Sequence, residues 1–130
     1  MDELRRVLEA DPRIAYALVF GSSARGTAHA GSDVDVAIGL TAGPTLGALG
    51  VGDLIARLES AVVQPVDLVL LDEAPVALAY RVFRDGIVVL ERDRAAMVAR
   101  KARAILEYLD FRPVEELCAQ GVLARARRGR

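Results

Sequence analysis

The sequence predicts an α/β domain, a small β-sheet packed with helices on one or both faces, and three observations predict it. Segments with strand and helix periodicity alternate along the chain, in the order helix, strand, helix, strand, helix, strand, helix, strand, then helices. The composition, 53% hydrophobic with 27% charged residues, is enough to build a core in a chain of 130 residues, a length that favours one domain. The stretch DVDVAIGL, residues 33 to 40, alternates strictly, so Val34, Val36, Ile38 and Leu40 share one face and Asp33, Asp35, Ala37 and Gly39 the other.

Residues 3 to 10 form the first predicted helix, with Leu4, Val7 and Leu8 on one side, and Asp11-Pro12 stops it. IAYALVF, 14 to 20, is a compact apolar run that reads as a buried strand broken by Gly21, after which Ser22 caps a short helix over 23 to 27. The alternating strand 33 to 40 follows. Gly-rich TAGPTLGALG reads as loop, and residues 51 to 60 as a helix with Leu54, Ile55 and Leu58 inward. Pro65 opens a strand over 66 to 71, residues 75 to 84 form a helix ending at Asp85-Gly86, and IVVLE, 87 to 91, is an edge strand. The longest helix is expected from Arg94 to Phe111, with Val98, Ala102, Ile105 and Leu109 as its inward stripe, and Pro113 opens a last short helix with Val114, Leu117 and Cys118 inward.

The formal net charge of −1 points to no class of partner. The arginine-rich end, residues 125 to 130, reads as a solvated terminus. A single cysteine, Cys118, excludes an internal disulfide, and without a Cys/His cluster thiolate metal sites are excluded too. No segment approaches the ~20 apolar residues of a membrane span, and the charged, amphipathic start is unlike a signal peptide, so a soluble cytoplasmic protein is expected. Arg100, Lys101 and Arg103 read as a basic helix surface, either solvated or in contact with an acidic partner or with RNA bound to that partner. His29 reads as solvent-facing, and Tyr80 and Tyr108 as core or interface residues.

The chemistry concentrates in FGSSARGTAHAGSDVDVAIGL, residues 20 to 40. Residues i and i+2 of a strand project to the same side, ~6.6 Å apart along the chain. Asp33 and Asp35 therefore point together, and two like charges so close call for a cation between them. Two divalent ions in phosphoryl-transfer sites sit ~3.5–4 Å apart, a spacing that two such aspartates can hold. Carboxylate oxygens suit Mg²⁺, which keeps water and substrate phosphates as further ligands. Asp67, the only charged residue of QPVDLVLL, completes the acidic cluster if its strand lies beside 33 to 40, and a third acid of this kind commonly takes the proton of an attacking hydroxyl. Gly21, lacking a Cβ, lets backbone approach a phosphate closely; Ser22 adds a hydroxyl donor, and Arg25 can pair with phosphate oxygens. The reading is a nucleotide held by Gly21, Ser22 and Arg25 at one end and by Mg²⁺ on the aspartates at the other.

Gly21-Ser22, ten residues, then Asp33-Val34-Asp35 resembles the signature of the nucleotidyltransferase superfamily related to the DNA polymerase β palm, and Ala24-Arg25-Gly26 and Ser32-Asp33 are similar to the usual filling. Size and the downstream stretch 66 to 93 are most similar to minimal nucleotidyltransferases of the MntA antitoxin type, over roughly residues 1 to 110. The resemblance implies a palm-like fold with a mixed sheet, a core over about 1–93, a C-terminal helical segment over about 94–124 and a basic tail, 125–130. It also implies transfer of AMP from ATP to a tyrosine hydroxyl of a HEPN-domain ribonuclease toxin, with pyrophosphate released and a hetero-oligomeric partner. On it, Gly21 and Ser22 hold phosphates, Asp33 and Asp35 bind Mg²⁺, Asp67 is the third acid and metal ligand, and Arg25 is a less uniform phosphate contact. Two alternatives stand beside this: an antitoxin that neutralises by occlusion alone, and a transferase acting on a small, aminoglycoside-like acceptor. Nothing in the chain grips a duplex, so direct nucleic-acid binding is not expected.

Overall fold

The computed structural model describes the backbone of residues 2–21, 33–41 and 46–128, with side chains as far as Phe111. Helix α1 (Asp2–Ala10) leads into strand β1 (Ile14–Phe20), and β2 (Val34–Leu40) is followed by helix α2 (Gly47–Val62). Strand β3 (Val66–Leu70) ends in a 3₁₀ turn over Leu71–Glu73; then come α3 (Val76–Asp85), β4 (Ile87–Glu91) and the long helix α4 (Arg94–Arg128). The strands form one sheet in the order β3-β2-β1-β4. Strand β1 pairs antiparallel with both β2 and β4, whereas β2 and β3 run parallel, joined by α2 as their crossover. The sheet is therefore mixed, and IVVLE lies at its edge as expected.

Both faces are covered. Helices α1 and α2 pack Leu4, Leu8, Leu54 and Leu58 on one face, against Val19, Val34, Val36 and Ile38. Helices α3 and α4 cover the other, with Ala79, Val82, Phe83 and Ala104 against Tyr16, Leu18 and Ala37. The small residues of β2 on this second face have a steric cause: a Cβ on Gly39 would run into the ring of Tyr16. A register shift between Ile14 and Tyr16 bulges β1, which puts Tyr16, Leu18 and Phe20 on the face of Ala37.

A buried aspartate ties α1 to β1. Asp11, 3% exposed, accepts hydrogen bonds from Arg13 Nε at 2.9 Å and Arg13 Nη2 at 2.8 Å, with the Arg57 guanidinium at 3.6 Å. The Arg13 side-chain bonds hold its carboxyl below the usual carboxylate range, outweighing the opposing effect of burial. The stabilisation is present above the unfolded-state pKa of 3.8 and is lost as pH falls through the lowered folded value. Asp11→Asn is expected to lower the free energy of unfolding at neutral pH by about 1.5–3 kcal/mol, the range for a hydrogen bond to a charged group. Urea titrations should show that difference shrinking in acid.

Helix α4 corrects three expectations. Its side against the sheet and α3 carries Ala96, Met97, Arg100 and Ala104, while Val98, Ala102, Ile105 and Leu109 face outward. Val98 is 52% and Leu106 63% exposed. The reason is at the end of β3: the Leu71 carbonyl needs a donor, and Arg100 Nη2 supplies it at 2.9 Å. Arg100 is 7% exposed, with Asp72 and Glu107 carboxylates 3.7 and 3.8 Å from its guanidinium. Its alkyl stem packs where an apolar residue was expected, so Arg100 leaves the basic surface. Arg103 is paired with Glu107 at 2.9 Å. The helical backbone also continues past Pro113 to Arg128, where a break between two helices was expected. A proline removes one helical hydrogen bond and bends a helix, and need not end it. Helix α2 likewise starts at Gly47, inside the stretch read as loop. The third strand stops at Leu70, one residue short of the expected end, and Leu71 enters the turn. Tyr80 and Tyr108 stack face to face, 4.0 Å between centroids, and join α3 to α4. Among the described residues no helix is long and apolar enough to cross a membrane.

Candidate active site

The expected acids meet at one edge of the sheet because of strand direction. β2 and β3 both start there, and β1, antiparallel to β2, ends there. In register, Phe20 of β1 lies opposite Asp35 of β2, and Asp35 lies beside Asp67 of β3. Partners in a parallel pair point to the same face, so Asp35 and Asp67 project together on the α3/α4 face, the one that Ala37 and Val69 occupy further along. Asp33 is exposed and stands just before the strand, which begins at Val34.

Two contacts fix this edge. The Val34 amide donates to the Pro65 carbonyl at 2.8 Å, aligning the starts of β2 and β3. The Val66 amide, next to Asp67, donates to Glu59 Oε2 of α2 at 2.9 Å. Glu59 thereby anchors the residue before the third acid. Sequence reasoning passed it over, because a glutamate in an amphipathic helix has the pattern of any solvated position.

The electrostatics follow from this crowding. The Asp35 carboxyl is pushed above its ordinary range, first by burial and then by the charges of Asp67 and Asp33. No cation of the described chain compensates it, whereas Asp11, also buried, is held by arginines. A strand start that gathers like charges in this way fits a bound divalent cation. Among the described residues no group of three Asp, Glu, His or Cys side chains closes into a complete metal cage. An open set of one or two carboxylates, completed by phosphate and water oxygens, is the usual manner of holding Mg²⁺.

Gly21 sits directly against Asp35. Its φ is +70°, and a Cβ built there would run into Asp35 Oδ2. Only glycine lets the chain turn at this point while leaving the carboxylate its place. Ser22, Arg25, His29 and the helix expected over 23 to 27 lie outside the described residues, as does the side chain of Cys118. Beside Gly21 is a cavity of about 290 Å³ lined by Phe20, Gly21, Leu78, Arg81 and Asp85. It is assembled from two segments distant in sequence, so no motif announces it.

Comparison with known proteins agrees with this geometry. The "Polymerase beta, Nucleotidyltransferase" family matches residues 2–95. A curated relative, the protein adenylyltransferase MntA of Shewanella oneidensis, is 36% identical over 75 residues, 58% of this chain and 52% of the relative. The match thus spans about half the length of that relative. Among solved structures, one chain of a toxin–antitoxin complex with AMP-PNP superposes with a TM-score of 0.81 at 24% identity, covering 94% of this chain and 97% of that one. Another, from the complex of a tri-AMPylated Shewanella oneidensis HEPN toxin with the MNT antitoxin, gives a TM-score of 0.75 at 21% identity over 94% of each chain. With a family match over most of its length, and strands that bring Asp35 of the Asp-x-Asp pair against the motif glycine, the chain belongs to the polymerase β nucleotidyltransferase family.

Proposed function

We propose that the protein transfers AMP from ATP to a tyrosine hydroxyl of a HEPN-domain ribonuclease toxin and thereby neutralises it. The observation that carries this reading is the juxtaposition of Asp35 with Asp67 and Gly21, reinforced by a relative named as a protein adenylyltransferase. Asp33, Asp35 and Asp67 would hold Mg²⁺, which when bound draws negative charge from the phosphates. Gly21, with Ser22 and Arg25 beyond it, holds the phosphate chain and keeps the reacting phosphorus over the acids. Asp67, exposed at the strand start, takes the proton of the tyrosine hydroxyl as its oxygen bonds to the α-phosphorus. The α–β phosphoanhydride bond breaks, and pyrophosphate leaves with the electron pair. The test is incubation of the purified pair with ATP and Mg²⁺ and mass spectrometry of the toxin for added AMP; an unmodified, still neutralised toxin sinks the transferase reading.

That outcome would leave neutralisation by occlusion, a reading favoured by the outward apolar stripe of α4. Val98, Ile105, Leu106 and Leu109 form an exposed surface of the kind that marks a protein partner. In either reading it is the surface that engages the toxin. Ile105→Asp with Leu109→Asp should leave the fold unchanged, since neither side chain is in the core, and weaken toxin binding by at least about 30-fold, the loss of one hot-spot residue. Co-purification and calorimetric titration check it.

A further inference from the structure

We infer that the cavity between β1 and α3 is the seat of the pyrophosphate end of the nucleotide, and that Arg81 is the cation that grips it. The inference rests on the transferase reading and extends it to a residue outside the sequence motif. The argument is one of order across the sheet. Asp67, Asp35 and Phe20-Gly21 follow one another from β3 to β2 to β1, and the cavity comes next, under α3. Transfer takes place over the acids, so the acceptor oxygen and the breaking bond belong at that end. The leaving group must extend away from the acceptor, roughly in line. Past Gly21 it reaches the cavity, on the face of the sheet to which Asp35 points.

The chemistry of the walls agrees. Arg81 lines this space, and among the described residues it makes no hydrogen bond or ion pair. A free guanidinium matches the bidentate geometry of phosphate oxygens. Among the described residues the wall holds one carboxylate, Asp85, which does not oppose an anion at full strength, because Arg84 Nε and Nη2 donate to it at 2.9 and 2.8 Å. Phe20 and Leu78, both partly buried, supply its apolar walls. The volume of about 290 Å³ is ample for a diphosphate.

The test uses the full chain with Mg²⁺ and two probes, inorganic pyrophosphate and AMP, titrated by calorimetry. Arg81 is exposed, so Arg81→Ala should fold normally. It is expected to weaken pyrophosphate binding about tenfold, the scale of one charge-assisted contact, and to leave AMP binding unchanged. Arg81→Lys should recover part of the loss, as a point charge without the fork. In turnover, Arg81→Ala should raise KM for ATP and relax product inhibition by pyrophosphate. Equal losses for both probes, a loss confined to AMP, or no loss at all would overturn the assignment. Wild-type protein that binds pyrophosphate through Arg81 but transfers no AMP would keep the subsite and refute the transferase reading, so the two failures are distinguishable.

Discussion

Asp35→Asn is expected to reduce AMP transfer roughly 10²–10³-fold or more, the cost of removing one preorganised charge from a polar transition state, and at the same time to make the ligand-free protein more stable. Both halves come from one fact. Asp35 is half-buried and faces Asp67 and Asp33, so its charged form is disfavoured and its pKa is raised, by burial before repulsion. For a carboxyl raised in this direction the penalty is complete above the folded pKa, and is relieved as pH falls toward the unfolded value of 3.8. Thermal unfolding of the wild type and Asp35→Asn should therefore differ most at neutral pH, with the variant higher, and converge in acid. Asp11→Asn should do the reverse, lowering stability at neutral pH. On the proposed function, the contrast separates a carboxylate placed for chemistry from one placed for the fold, as expected where sites store unfavourable charge. A neutral-pH loss of stability in Asp35→Asn would mean that an unrecognised donor holds Asp35, and the cation-site reading would lose its main support.

The acids were legible in the sequence because their logic is local. Alternation in DVDVAIGL gives the face of Asp35, and Asp67 is the sole charge in an apolar strand, so the neighbouring of the two strands had to come from tertiary structure, as did the place of Asp33, which lies just before the strand that alternation extended to it. Helix α4 was misread because its two faces invert the usual rule. The stripe richest in Val, Ile and Leu faces out, and the inward side is made of alanines, Met97 and an arginine called in by the Leu71 carbonyl. Periodicity reveals that a helix has an apolar stripe; it does not reveal whether the chain or a partner covers it. The start of α2 was hidden by GALGVG, whose glycines favour loop, but burial of Leu46, Leu54 and Leu58 outweighs that propensity. The cavity had no signature, since Phe20 and Gly21 meet Leu78, Arg81 and Asp85 only through packing of α3 on β1.

Gly21→Ala should cost activity on the scale of the aspartate variants while costing little stability, and the two penalties have different origins. A non-glycine residue at φ +70° is strained by about 1–2 kcal/mol, which the fold can absorb. The added Cβ also meets Asp35 Oδ2, the end of a side chain and so free to turn away. The backbone stays and the carboxylate moves. Displacing a reacting group by about 1 Å is enough to cost ~10²-fold in rate. Gly21→Asn separates the two contributions: asparagine tolerates the left-handed backbone better than alanine but brings the same Cβ. If contact with Asp35 decides, both variants are equally inactive and Asn is the more stable; if strain decides, Asn recovers activity in step with stability. Either variant retaining near-native AMP transfer would show that Gly21 does not hold Asp35 in its working position, and the close approach of β1 to the acids would be a feature of packing alone.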